Sequence, residues 1–128
     1  MSDKIMVCVT QQKSCEKLIH RGSELVKEKN GELLVVHVVK DDWRYFGEMK
    51  ESDALEYLYD ISKKYDASLS IYKSKRIEET LSKFVKDNNI DEIVMGESLE
   101  KVSQQNMIDR LKKIIDYPIK WEIVKRVD

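Results

Sequence analysis

The sequence predicts a doubly wound α/β domain, with five parallel strands in the order 3-2-1-4-5 and helices on both faces. Three observations predict it. Apolar runs of strand length alternate with apolar stripes at helical spacing along the whole chain. Strands separated by helices pair in parallel, because each right-handed crossover carries the chain back to the same end of the sheet. The first, second and fourth apolar runs are nearly unbroken, as befits strands covered on both faces, whereas the third and fifth alternate with polar residues and belong at the edges.

The elements follow in order. Ile5 to Val9 is a continuous apolar run, and Cys15, Leu18, Ile19, Gly22, Leu25 and Val26 form the first helical stripe. Asn30-Gly31 stops that helix, since both residues tolerate the left-handed conformation. Leu33 to Val39 is the second strand. A polar connection from Lys40 to Ser52 carries Trp43, Tyr45 and Phe46, and is the one long connection expected. Ala54, Leu55, Leu58, Ile61 and Tyr65 make the second helical face, and Leu69 and Ile71 alternate with polar neighbours in a short third strand. Ile77, Leu81, Phe84 and Val85 form the third stripe, with Glu78 and Glu79 suited to its positive N-terminal end. Asn88-Asn89 ends it. Ile90 to Met95 is the fourth strand, closed by Gly96, although Asp91 and Glu92 sit at its start. A fourth helix is expected over about Asn106 to Asp116, with Met107, Leu111, Ile114 and Ile115 inward and an Asn106/Asp109 start box. Pro118 ends it, and Ile119, Trp121 and Ile123 form the last strand.

The strand order puts a topological switch point between strands one and four. Ligands of such sheets bind beyond the carboxyl ends of the strands at that point. The candidate site is therefore Thr10 to Ser14, the Lys40 to Gly47 loop and the Gly96 to Asn106 loop.

Composition narrows the partners. The 128 residues fit one domain, 1–128, able to bury roughly two-thirds of its unfolded surface. Charged residues make up 37%, yet the signs cancel to a net −1 and intermingle, so no basic stripe tracks a nucleic acid backbone. The apolar runs fall far short of the ~20 residues that span a bilayer, and Met1-Ser2-Asp3-Lys4 leads directly into a strand without a signal-peptide pattern. These features point to the cytoplasm and to no membrane insertion. Cys8 and Cys15 form no C-x-x-C motif and read as reduced, mostly buried thiols.

Few residues carry chemistry. His37 lies in a central strand and reads as a satisfied core histidine, and His20 as a partly exposed helix residue. Neither has a Cys or His at ligand spacing, so no metal site is expected. No Ser-His-Asp or Cys-His set can be assembled, so no catalytic residues are assigned. Asp41-Asp42 reads as a solvated acidic turn. Gly96 is either a tight turn or a ligand contact. The Trp43, Tyr45, Phe46 cluster could stack a base as a lid, cover the second helix or meet a partner.

Four segments, Ile5 to Thr10, Leu34 to Val39, Ile77 to Ile90 and Asp91-Glu92-Ile93-Val94-Met95-Gly96, together with Met107 to Leu111, make the chain resemble the universal stress proteins, whose fold is that of the adenine nucleotide alpha hydrolases. The pairing of Val7-Cys8-Val9-Thr10 with Leu18-Ile19-His20-Arg21-Gly22 is most similar to the cytoplasmic module of KdpD-type potassium-sensing kinases. One branch of the family binds ATP through a loop of Gly, two residues, Gly, nine residues and Gly-Ser or Gly-Thr. The resemblance implies a pocket lined by Val9, Thr10, Val38, Met95, Gly96, Ser98 and Asn106. Only Gly96 matches a phosphate glycine. Leu99 and Gln105-Asn106 stand where the others belong, the loop is shorter, and Thr10 replaces the acidic ribose contact. A Leu99 side chain would crowd an α/β-phosphate.

The function expected on these grounds is a non-enzymatic sensory or regulatory module, binding ATP or another adenine nucleotide weakly if at all. The alternative is a nucleotide-binding universal stress protein using ATP or a cyclic dinucleotide; ATP hydrolysis lacks a base, a magnesium site and a phosphate cradle. Expected partners are a second copy pairing along the last strand, or other domains of a sensor kinase or signalling proteins.

Overall fold

The computed structural model describes residues 3–9, 15–39, 45–46, 49–96, 109–115 and 118–124. Its elements run β1 (Lys4–Cys8), α1 (Cys15–Lys29), β2 (Glu32–Val39), β3 (Tyr45–Phe46), β4 (Met49–Lys50), α2 (Glu51–Lys64), β5 (Ser68–Lys73), α3 (Ile77–Asp87), β6 (Glu92–Gly96) and β7 (Lys120–Val124). A further helical segment covers residues 109–114. Five strands form one sheet in the order β5-β2-β1-β6-β7, every pair parallel. That is the order 3-2-1-4-5 expected from the apolar pattern.

Alternation along the strands explains why the central runs are apolar throughout. Side chains of a strand point in turn to opposite faces. Ile5, Val7, Leu33, Val35 and Val94 face α1 and α2, meeting Leu18, Ile19, Leu25, Leu58 and Ile61. Met6, Cys8, Leu34, Val36, Ile93 and Met95 face the other way, onto Leu81, Phe84 and Val85 of α3 and onto Leu111 and Ile115. Both faces are covered, so a polar residue in β1 or β2 would be buried on either side.

The seat of α1 is set by Gly22. A Cβ there would lie 2.6 Å from Val7 Cγ2 and 2.8 Å from Leu33 Cδ1. The helix therefore rests closely on the Val7 and Leu33 side chains, which a side chain at position 22 would have to push aside.

Three helices end in the same way. Asn30, Asp66 and Asn89 have positive φ, at 53°, 56° and 52°. One residue later the chain N–H reaches back across the last turn: Gly31 donates to the Val26 carbonyl at 2.9 Å, Ala67 to that of Ser62 at 2.8 Å and Ile90 to that of Val85 at 3.1 Å. This is the Schellman pattern, which satisfies late helix carbonyls and turns the chain towards the next strand. Asn30-Gly31 and Asn88-Asn89 are legible as stops in the sequence, with Asn30 and Asn89 taking the left-handed position. Asp66 is not, because it stands singly before Ala67, without the Asn-Gly or Asn-Asn pair that marks the other two.

The amino-terminal edge of the sheet is knit by polar groups. The Lys4 N–H donates to Asp91 Oδ2 at 2.8 Å, and the Asp91 N–H returns to the Lys4 carbonyl at 2.8 Å. Glu32 donates to the Asp3 carbonyl at 2.7 Å and Lys120 to that of Asp91 at 3.1 Å. Glu92, which looks out of place in a central strand, is buried with its side chain 7% exposed and bonded by the Lys29 ammonium at the end of α1. That hydrogen bond raises the Lys29 pKa above its ordinary value, against the opposing effect of burial.

Other differences from the sequence reading are local. The Lys40 to Ser52 connection contains the two-stranded antiparallel hairpin β3–β4, too short to leave an alternating signature. Ile114, expected inward, is exposed, whereas Leu111 and Ile115, four apart, are buried as expected; Met107 lies outside the described residues. Ser62 is buried in α2, and its hydroxyl has no hydrogen-bond partner among the described residues. The free thiol of Cys8 is buried as expected, and burial pushes its pKa up to about 12; the side chain of Cys15 lies outside the described residues.

Two outcomes follow from this packing. Gly22→Ala gains up to about 1 kcal/mol of helix propensity but overpacks Val7 and Leu33, which costs roughly 1–3 kcal/mol. Urea unfolding should show a net loss on the order of 1 kcal/mol, and a gain in stability would contradict the seat described for α1. Lys29→Met leaves the buried Glu92 unpaired and should cost roughly 1–3 kcal/mol at pH 7, with Lys29→Met/Glu92→Leu recovering most of it. Because the folded-state pKa of Lys29 is raised, its contribution is complete below its ordinary pKa of 10.5 and fades as pH climbs above that value. The gap between wild type and Lys29→Met should therefore narrow only above about pH 10.5.

Candidate functional site

The carboxyl edge of the sheet differs from the amino edge. The β1–β2 register ends at Cys8 and Val36. The Val9 N–H still donates to the Val36 carbonyl at 3.0 Å. The Val9 carbonyl lies 2.8 Å from Nδ1 of His37, a side chain only 1% exposed. A carbonyl can only accept, so Nδ1 carries the proton. His37 is thus the satisfied core histidine that the sequence suggests. Its partner, 28 residues away, becomes visible only once β1 and β2 are placed in register.

Four of the seven pocket residues implied by family resemblance are described, and they gather at this edge. Val9, Val38 and Met95 are buried, Val9 on the α1 side and Val38 and Met95 on the α3 side. Their side chains belong to the core, so what they offer a ligand is main chain at the strand ends. Gly96 closes β6 beside Val124 of β7. A Cβ on Gly96 would sit 3.2 and 3.3 Å from the Leu18 methyls. Its bareness is therefore used by the packing of α1. Thr10, Ser98 and Asn106 lie outside the described residues, as do Leu99 and Gln105.

The aromatic lid is only partly placed. Trp43 lies outside the described residues. The backbone of Tyr45 and Phe46 forms β3, paired with Lys50 and Met49 of β4, and the hairpin adjoins α2.

Ion pairs elsewhere tie the layers together without converging on this edge. Arg21 of α1 reaches Glu122 of β7 at 3.2 Å, which raises the Arg21 pKa. Exposed His20 lies 4.0 Å from Glu24 and edge-on to Tyr65. The sequence reading also misses a shallow groove of about 450 Å³ at the start of α3, lined by Ser74, Lys75, Arg76, Glu79, Thr80 and Lys83. Its only advance signal is the Ser-Lys-Arg run before the helix. Among the described residues no group of three or more His, Cys, Asp or Glu side chains could hold a metal ion, and no helix is long and apolar enough to cross a membrane.

Comparison with solved structures agrees with this architecture. A universal stress protein from Archaeoglobus fulgidus DSM 4304 superposes with a TM-score of 0.68 at 16% identity, over 98% of this chain and 45% of that one. This chain thus spans less than half the length of that relative. A universal stress protein in complex with cAMP gives a TM-score of 0.69 at 12% identity over 98% of each chain. The universal stress protein from Archaeoglobus fulgidus in complex with dAMP gives 0.61 at 16% identity, over 93% of this chain and 96% of that one. At such identities the likeness speaks for the fold. No curated protein sequence matches. The model of the universal stress protein family matches residues 1–104, most of the chain, so this chain belongs to the universal stress protein family.

Proposed function

We propose that the chain is a non-catalytic regulatory module whose carboxyl edge takes an adenine nucleotide weakly, with no preference for a triphosphate. The observation that carries this reading is the loop after β6. Gly96 is the only phosphate glycine present, and Leu99 and Gln105-Asn106 occupy the other positions. Bare backbone lets several N–H groups converge on a polyphosphate, and side chains prevent that approach. The main-chain floor at Val9, Val38 and Met95 supports binding of a flat base without needing those glycines. Two relatives of the same fold were solved with cAMP and with dAMP, each carrying a single phosphate.

The likeness of the first strand and helix to the KdpD module supports a signalling role, exercised through contacts with other domains or proteins. A second copy pairing along the outer edge of β7 belongs to the same proposal. β7 is an edge strand and Ile123 on it is 38% exposed.

Thermal shift tests the ligand reading. AMP, cAMP and ATP, with and without magnesium, should stabilise the protein only at millimolar levels. At ten times Kd the gain is about 1.4 kcal/mol, worth roughly 4–7 °C in a domain of this size. Saturation by ATP in the micromolar range would overturn the absence of a triphosphate seat. No shift with any of them at 10 mM, roughly the level that exposes a millimolar Kd, would overturn nucleotide binding altogether. For assembly, light scattering should give a dimer mass for the wild-type chain and a monomer mass for Ile123→Lys; a monomer for both removes the β7 pairing.

A further inference from the structure

We infer that His37 is a positioning residue of the carboxyl edge, fixing the point at which β1 leaves the sheet and hence the main chain on which an adenine nucleotide would lie. The inference rests on the nucleotide reading proposed above and adds to it a residue that makes no contact with the ligand. Three facts carry it. The β1–β2 register ends at Cys8 and Val36, whereas β2 continues beside β5 as far as Val39 and Lys73. One residue past that end, the Val9 carbonyl accepts the Nδ1 proton of His37 at 2.8 Å. The imidazole is buried, on the strand flanking the switch point, where a hydrogen bond is not diluted by water.

The geometry explains why a polar side chain occupies a central strand. Val35, two residues before it, faces the same layer and is wholly apolar. A leucine at position 37 would fill similar space and carry no polar cost, but it could not hold the Val9 carbonyl. The imidazole replaces a strand–strand contact with a side-chain tether. Just past the end of β1, it anchors the Val9 carbonyl to β2 beside the bond from the Val9 N–H to Val36. Val9 and Val38, both in the implied pocket, are then held in one fixed relation across the two strands.

The test uses the full chain as wild type, His37→Leu and His37→Asn. The asparagine amide can place a donor where Nδ1 stands, and leucine cannot. Each variant is first checked for native circular dichroism and cooperative unfolding. Residue-resolved amide exchange should show the Val9 N–H at least tenfold less protected in His37→Leu, with protection restored by His37→Asn and exchange in α3 unchanged. The Kd for AMP should rise about tenfold in His37→Leu and stay within about threefold of wild type in His37→Asn. Unchanged Val9 exchange in His37→Leu overturns the inference, and so does altered exchange with an unchanged Kd. If wild type binds no AMP, the nucleotide reading fails, and the exchange data alone decide whether His37 positions the strand end. If His37→Leu does not fold, the imidazole nitrogen shifts of the wild type decide: a proton on Nδ1 supports the tether, and a proton on Nε2 alone overturns it.

Discussion

The close approach of α1 to the sheet is the constraint on which the rest of the structure depends. At Gly22 the helix backbone comes within reach of Val7 and Leu33, and one turn earlier Leu18 fills the space beside Gly96. The same helix thus fixes its height above β1 and β2 and its fit against the carboxyl end of β6. Had Gly22 carried a side chain, α1 would ride higher, Leu18 would withdraw from Gly96, and a void would open beneath it. Interiors close-packed like molecular crystals do not absorb such changes cheaply. The candidate site is shaped by this packing before any ligand group is considered.

The two edges of the sheet divide the polar work. At the amino edge, Lys4, Asp91, Asp3 and Glu32 close the strand ends with short bonds, and Glu92 is held under Lys29. A buried ion pair of this kind adds little over an apolar pair, but it punishes the loss of one partner. It therefore specifies one register for β6 against the end of α1. At the carboxyl edge the described residues contribute main chain and one buried imidazole. Among the described residues, the polar ties between strand ends thus lie mostly at the amino edge.

Much of the fold can be read from residues. Unbroken apolar runs in β1, β2 and β6 announce central strands, and the alternation of Leu69 and Ile71 or of Trp121 and Ile123 announces edges, because burial on two faces or one leaves different patterns. What cannot be read depends on distance across the fold. Glu92 looks like a flaw until Lys29, 63 residues earlier, is found beside it. Gly22 looks like one member of an apolar stripe, and nothing in the stripe says which member touches the sheet most closely. Ile114 reads as inward because a short helix with four apolar candidates does not reveal which of them share a face. Of the candidate site, position is legible from topology, and the missing phosphate glycines are legible from spacing. The bond between His37 and Val9 requires the register of two strands, which periodicity alone does not give.

The corner at Asn30-Gly31 has a chemical consequence as well as a conformational one. In an open chain, asparagine followed by glycine is the dipeptide most prone to cyclise, because the unhindered glycine nitrogen attacks the side-chain amide and ammonia departs. In the folded chain that nitrogen donates its proton to the Val26 carbonyl, and the Asp3 carbonyl oxygen occupies the space a Cβ would take at Gly31. The nucleophile is engaged and its approach is hemmed in by the first strand. Cyclisation at this corner would require the Gly31–Val26 hydrogen bond to open first.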